Sequence, residues 1–294
     1  MDSIDEIIRQ QVDLVLMEDI GQGDITTTAC IEPTLVKAEI MAKSEGVVSG
    51  LMVVEMVFQS RDKNVQIEIV KTDGETFARG DRIIGIEGDS RAILTGERTA
   101  LNFLGHLSGI ATLTAKFVEA VRGTGATILD TRKTTPGLRL LDKYAVACGG
   151  ASNHRFGLYD MALIKDNHIA AAGSITKAVE KMRAFLKSDE YKKQYLIKPE
   201  HIEIEVEVEN ESQLREAIAG KVKRLLLDNQ STEQLAELVK IARSLDAGVK
   251  LEASGNVNLA NVRKVAETGV DFISIGTLTH SAPSSDFSLK FLPQ

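Results

Sequence analysis

The spacing of apolar residues along the chain changes period several times. Ile4, Ile7, Ile8, Val12 and Val15 recur at helical intervals and predict a helix over residues 3–16, followed by a turn-forming EDIGQGDITT stretch. Short β-like runs come next, over residues 36–42, 65–70 and 82–86, punctuated by Gly46, Gly50, Gly74, Gly80 and Gly88. Between them residues 51–59 are apolar enough for a packed helix. Residues 95–122 predict two helices with a break near Ser108 and Gly109.

From Ala126 onward the pattern is strand, loop, helix, repeated. Strands are expected at residues 127–129, 161–164, 202–208, 224–227, 249–251 and 272–275. Helices are expected at 138–147, 175–186, 211–219, 232–245 and 259–267. Asn210 and Ser231 stand at N-cap positions, each with a Gln three residues later. This alternation implies a parallel sheet covered by helices, and repeated right-handed crossovers close readily into a barrel. Only six strands are visible, so the barrel is expected to be open. The polar stretch 188–201 predicts a loop or insertion. The expectation is an α/β protein with two domains. Residues 1–115 form an N-terminal α+β sandwich to which the tail 282–294 returns, and residues 116–281 form an open, incomplete parallel α/β barrel.

Composition narrows the function. The 294 residues carry a net charge of −7 and only 4% aromatics, with no Trp. A broad basic footprint for nucleic acid and a stacking platform for single strands are excluded. Cys30 and Cys148 have no metal-ligand spacing. No apolar run approaches the length of a membrane span, and the acidic N-terminus does not read as a signal peptide. The expected location is the cytoplasm.

Against this acidic background, residues 130–168 hold six Lys or Arg and four Asp, before His154 and His168 are counted. In an α/β barrel, functional groups sit at the C-terminal ends of strands. Arg132, Lys133, His154, Arg155 and Lys165 fall there, a concentration suited to a ligand with several anionic groups. Gly255-Asn256 and Gly276-Thr277 follow the last two strands, where backbone N–H groups commonly hold a phosphate. Glu205, Glu207 and Asp228 are the acidic counterpart, placed to bind ribose hydroxyls or Mg²⁺. Glu203 and Glu209 read better as solvated residues of an exposed edge strand. His106 and His280 read as structural.

Several long blocks carry a resemblance: GERTALNFLGHLSGIAT, DTRKTTPGLRLLDKYAVACGG, NHRFGLYDMALIKDNHI, EVEVEN, LLLDN, and EASGN paired with GVDFISIGTLTHS. In order and spacing, from about Ile25 to Ser281, they resemble the quinolinate phosphoribosyltransferase family. The resemblance implies transfer of phosphoribose from phosphoribosyl pyrophosphate to the nitrogen of quinolinate, with decarboxylation to nicotinate mononucleotide. It implies Mg²⁺ accompanying the donor and no organic cofactor. By matching positions, it implies that Arg132, His154, Arg155 and Lys165, with Lys133 beside them, bind quinolinate and donor. Glu207 and Asp228 become the acidic pair near ribose and metal, and Lys165, Glu207 and Asp228 the catalytic set. Ser254, Gly255, Asn256, Ser274 and Gly276 form the phosphate-binding ends. Arg98 matches an arginine lent to a neighbouring subunit, which implies a homodimer. Asn256 departs from the pattern, since a second Gly is common there.

Three rival readings stand beside it. A nicotinate or nicotinamide phosphoribosyltransferase would act without decarboxylation on fewer carboxylates. A Schiff-base lyase would use Lys165 as nucleophile. A biotinyl- or lipoyl-type carrier would modify Lys71 in VKTDGETFARGDRIIGIEG.

Overall fold

A computed structural model of the chain describes residues 4–293. Ser3, where the first helix was expected to begin, lies outside them. The chain falls into two compact units. The first gathers the residues up to Ala115, Thr134–Gly150 and the segment from Thr277 onward; the second is Lys116–Lys133 with Ala151–Gly276. The segment Thr134–Gly150, expected in the barrel domain, therefore clusters with the N-terminal residues.

In the first unit, the helix Ile4–Ile20 buries Ile8, Val12 and Leu16, one residue per turn. Ile4 and Ile7, expected on the same stripe, are exposed. The following turn contains a further short helix, Ile25–Cys30, whose first turn is capped by Asp24 accepting from the Thr27 N–H at 2.9 Å. The sheet of this unit is antiparallel. It comprises β1 (Leu35–Ala42), β3 (Gln66–Ile69), β5 (Arg82–Asp89) and β12 (Phe287–Phe291), in the order β12-β1-β5-β3. β2 (Gly46–Val47) and β4 (Thr76–Phe77) pair separately. The register sets Ala38 opposite Ile86 and Ile40 opposite Ile84, and all four are buried. The helix Leu51–Arg61 buries Val53, Val54, Val57 and Phe58.

The expected break near Ser108-Gly109 is absent: Ser90–Ala120 is one helix of 31 residues. The small residues serve close packing instead. A Cβ on Gly109 would overlap Pro283 O and stand 3.0 Å from the Ser284 Cα. One turn earlier, Gly105 O accepts from the Ser285 N–H at 2.9 Å. Ser108 Oγ accepts from the Ser49 N–H at 3.0 Å. A local breaker signal was thus a long-range contact signal.

The second unit holds six strands, all parallel: β6 (Thr127–Leu129), β7 (Ala162–Ile164), β8 (Ile204–Val208), β9 (Arg224–Asp228), β10 (Lys250–Ser254) and β11 (Phe272–Ser274). Their order is β6-β11-β10-β9-β8-β7, so β6 and β7 are free edges and the barrel is open. Ser231 and Gln234 form a full capping box on the helix Thr232–Leu245. Asn210 caps Glu211–Ala219, but Gln213 turns its side chain to the Glu209 N–H instead.

Two expectations change here. Residues 188–201 are not a plain loop: they contain the helix Asp189–Gln194 and a 3-10 turn at Pro199–His201. Tyr191 and Tyr195 stack at 4.8 Å, and Phe185 meets both edge-on. And β8 is no exposed edge. It lies between β7 and β9, and Glu205 through Val208 are all buried. Interior strands of parallel sheets are covered on both faces, so Glu205 and Glu207 must find partners inside, while Glu203 and Glu209, just beyond the strand ends, are exposed as expected.

Candidate active site

The strand ends of the second unit place most of the expected residues on one rim. Lys165 follows β7 directly, and its Nζ lies 2.8 Å from Glu207 Oε2 on β8. Asp228 closes β9. Burial, with the nearby Glu207 charge, pushes its carboxyl above the usual aspartate range. A Lys165 ammonium committed to Glu207 is a charge partner and not a free amine, which disfavours the Schiff-base reading. Lys71, the carrier candidate, is tied to Asp81 at 3.1 Å and donates to Thr76 O.

The ends of β9 and β10 lock together. Asn229 donates its N–H to Ser254 O at 2.9 Å, and its side-chain amide donates to Asp228 Oδ2 at 2.9 Å. Asn256 donates to Asn229 Oδ1 at 3.3 Å and accepts at its own carbonyl from Asn261. Gly255, Asn256 and Asn229 have φ of 93°, 53° and 52°. The left-handed region admits glycine freely and asparagine with modest cost, so Asn256 keeps the loop conformation that a second Gly would take. Strained backbone of this kind concentrates at ligand-binding positions.

The loop between β6 and β7 supplies the cations. Leu129 bridges Ser152, and Asp130 accepts from the His154 N–H at 2.8 Å. Arg155 donates to Met161 O, while Asp160 accepts from the Phe156 and Gly157 N–H groups. Burial, with the Arg132 charge beside it, lowers the Arg155 pKa, offset in part by Glu205 and Asp160. Two arginines share one neighbourhood here, an arrangement that favours an anion between them. Lys133 is exposed, its N–H on Thr131 Oγ1.

Below the rim lies a buried charged layer that sequence reasoning missed. Arg224, the first residue of β9, sits opposite Glu205 in register. Its Nε lies 3.1 Å from Glu205 Oε1 and its Nη2 2.5 Å from Glu252 Oε2. Its guanidinium also stacks on Phe272, 4.5 Å from the ring centroid. His154 Nε2 meets the other oxygens of the same carboxylates, at 3.1 Å for Glu205 and 3.3 Å for Glu252. Glu205, expected at the mouth, is thus fully buried beneath it. Ser274, expected among the phosphate-binding residues, is buried and gives its hydroxyl to Glu252 Oε1.

Burial opposes charge on His154, but its hydrogen bonds to Glu205 and Glu252, with their negative charges, outweigh it and raise the pKa to about 9. The Arg155 N–H lies 2.7 Å from Nδ1, a contact suited to the neutral ring. Charge balance decides for the imidazolium: two buried carboxylates against one guanidinium leave a negative charge for it to cancel. Burial and the Glu252 charge push Glu205 up; against burial, His154 and Arg224 hold Glu252 down to about 2. His154, Glu205 and Glu252 bring ligand atoms within 4.8 Å of one another, but Arg224 and His154 already saturate both carboxylates, so the trio does not suit a metal. Glu207 and Asp228, at the rim, fit Mg²⁺ better, because Mg²⁺ is commonly held by one or two carboxylates plus substrate phosphates.

In the first unit, Arg98 is exposed on the long helix. His106 pairs with the fully buried Asp142 at 2.7 Å, which in turn accepts from the Thr135 N–H. His280 Nδ1 lies 2.6 Å from the hydroxyl of its neighbour Ser281.

An open parallel α/β barrel with cations, carboxylates and left-handed loops at its strand ends defines an enzyme acting on small polyanionic substrates. The comparisons narrow the class. Residues 110–290 match the model of the quinolinate phosphoribosyl transferase C-terminal domain, and residues 24–108 that of the N-terminal domain. The chain belongs to the quinolinate phosphoribosyltransferase family. It is 43% identical over 273 residues to a probable nicotinate-nucleotide pyrophosphorylase (carboxylating) of Bacillus subtilis, covering 93% of this chain and 89% of the relative. A similarly described protein of Synechocystis is 42% identical, covering 94% and 90%. The solved nicotinate-nucleotide pyrophosphorylase of Francisella tularensis superposes with a TM-score of 0.89 at 40% identity, covering 99% and 98%. Among the described residues, no helix is long and apolar enough to cross a membrane.

Proposed function

We propose that the chain transfers phosphoribose from phosphoribosyl pyrophosphate to the ring nitrogen of quinolinate, releasing pyrophosphate and CO₂ and leaving nicotinate mononucleotide for NAD synthesis. The observation that supports this reading is the set of strand ends: the Lys165–Glu207 pair and Asp228 stand at the C-terminal ends of β7, β8 and β9, and the loop between β6 and β7 brings the charges of Arg132 and Arg155 together. A dicarboxylate and a phosphorylated sugar donor together need such a concentration of positive charge, with a carboxylate beside it.

The residues divide the work. Arg132, Arg155 and Lys165 bind and orient the two carboxylates of quinolinate through charge-assisted hydrogen bonds. The backbone of Ser254, Gly255, Asn256 and Gly276 receives the 5-phosphate at the strand ends. As the ribose–pyrophosphate bond breaks, the sugar gains cationic character, which the Glu207 and Asp228 carboxylates stabilise from the rim. Those two carboxylates would also hold Mg²⁺, whose chemistry is to neutralise charge on the departing pyrophosphate. After transfer the pyridine nitrogen is cationic; when the bond from C2 to its carboxylate breaks, CO₂ leaves and the electron pair stays on C2, stabilised by the adjacent positive nitrogen until a proton from solvent quenches it, so no organic cofactor is needed. Nicotinate lacks that carboxylate, and the surplus of cations at the rim favours the diacid.

The working form we propose is a cytoplasmic homodimer in which Arg98 of one subunit completes the site of its partner. Incubation with quinolinate, phosphoribosyl pyrophosphate and Mg²⁺ should give nicotinate mononucleotide and one CO₂ per turnover. Product from nicotinate but not from quinolinate would overturn the assignment.

A further inference from the structure

The charged layer beneath the rim has no part in the chemistry described so far. Its cost needs a reason. Interior layers of α/β barrels are ordinarily filled by branched apolar side chains. Here Glu205 and Glu252 are fully buried, and Arg224 keeps only 12% of its side chain exposed. Buried ion pairs seldom stabilise a fold better than apolar groups of the same shape. Stability alone therefore does not account for them.

Geometry gives the layer a direction. Each carboxylate spends one oxygen on Arg224 and presents the other to His154 Nε2. Ser274 and Phe272 brace Glu252 and Arg224 from β11. The network spans β8, β9, β10 and β11 and converges on one imidazole. That imidazole stands in a segment of irregular backbone, and its main-chain N–H is held by Asp130. The next residue is Arg155, so the ring and that arginine share one stretch of backbone. The strands thus reach this irregular backbone, and Arg155 on it, mainly through one ring.

We propose that Arg224, Glu205 and Glu252 are positioning residues of the reaction, acting through His154 to set Arg155 and the imidazole against the pyridine dicarboxylate. This rests on the reading given under Proposed function. It separates the two substrates: the layer should govern quinolinate and leave the donor largely alone, because the donor-side groups Asp228, Asn229 and Asn256 are locked by their own hydrogen bonds.

The test is a double-mutant cycle on KM. Glu252→Gln keeps shape and one acceptor oxygen but removes the charge. It should raise KM for quinolinate about tenfold or more, while KM for phosphoribosyl pyrophosphate stays within about twofold. His154→Ala should do the same. Glu252→Gln placed in the His154→Ala background should then add little, since Glu252 reaches the loop through the ring. Should Glu252→Gln fail to fold by circular dichroism, Arg224→Lys carries the same cycle. The ¹⁵N shifts of His154 in the folded variant should also move. An unchanged quinolinate KM, equal rises in both KM values, or effects of Glu252→Gln and His154→Ala that multiply would each overturn the proposal. Wild-type protein that makes no nicotinate mononucleotide would fail the underlying reading instead, before any variant is compared.

Discussion

Replacing Gly255 by Ala tests the donor side of the site, and the structure fixes the size of the effect. The residue has φ of 93°, a region that L side chains rarely adopt. A non-glycine residue held there costs about 1–2 kcal/mol. The added Cβ would also overlap Asn229 Oδ1, stand 2.7 Å from Asn229 Cγ and 3.0 Å from the Asn229 backbone N. The side-chain amide can rotate away; the backbone nitrogen cannot, because it donates to Ser254 O. Relieving the overlap therefore separates the ends of β9 and β10, at a further cost of about 1–3 kcal/mol. The total, about 2–5 kcal/mol, is measurable as a shift in the urea midpoint. Asp228 precedes Asn229, so the same movement displaces a carboxylate at the proposed ribose site. Steady-state kinetics should show a raised KM for phosphoribosyl pyrophosphate and a lowered kcat, with KM for quinolinate within about twofold. Asn256→Gly, which relaxes the next residue without adding an atom, should leave stability within about 1 kcal/mol. A Gly255→Ala protein with wild-type stability and donor KM would refute this account of the loop.

Other outcomes are expected. Arg155→Ala and Lys165→Ala should each weaken quinolinate binding by more than tenfold, since a charge-assisted hydrogen bond contributes about 1.5–3 kcal/mol; calorimetric titration of folded variants checks it. Glu207→Gln and Asp228→Asn should cut turnover sharply and alter the Mg²⁺ dependence, and normal turnover across a Mg²⁺ series would return both carboxylates to the scaffold. Arg98→Ala and Lys165→Ala dimers should be nearly inactive alone. After mixing and subunit exchange they should recover about one quarter of wild-type activity, and proven exchange without recovery would remove the shared site. The raised His154 pKa makes a signed prediction about stability. Its contribution is full below the unfolded value of 6.5 and is lost as pH rises through about 9. The Tm advantage of wild type over His154→Gln should accordingly shrink from pH 6.5 to 9, whereas an advantage that grows over that window would contradict the imidazolium.

The sequence discloses some of this and hides the rest for identifiable reasons. Strand–helix repetition after Ala126 is a local signal, so all six parallel strands are legible to within a few residues. The rim is legible too, because barrel topology alone assigns Lys165, Asp228 and Gly255 to strand ends. The break near Ser108-Gly109 misleads because a glycine read locally means flexibility, while here it admits a segment some 170 residues away, around Pro283. The helix Asp189–Gln194 is hidden by its brevity and polarity; only the Phe185, Tyr191 and Tyr195 rings mark that it packs. The charged layer is hidden most thoroughly. A lone Arg, or a Glu in an alternating run, reads as solvated, and nothing short of the strand register says that Glu205 faces Arg224.

That layer also explains how one barrel mouth can be strongly cationic and still hold its shape. On the floor, the guanidinium and imidazolium cancel the two buried carboxylates, and the exposed Glu203 touches the guanidinium from outside, so the floor carries no cationic surplus to compete for a ligand. On the rim, Arg132, Lys133, Arg155 and Lys165 outnumber Glu207 and Asp228 by two, and that surplus is what a dicarboxylate or a phosphate can neutralise. Had the floor kept the surplus, it would be buried, dry and unreachable, and its repulsion would push the strands apart. Had the rim been balanced, the ligand would meet satisfied pairs and gain little. Separating a neutral, rigid layer from an unbalanced, accessible one resolves both demands, and it does so with residues one turn of the β repeat apart: Glu205 holds the floor, and Glu207, two positions on along the same strand, meets Lys165 at the rim.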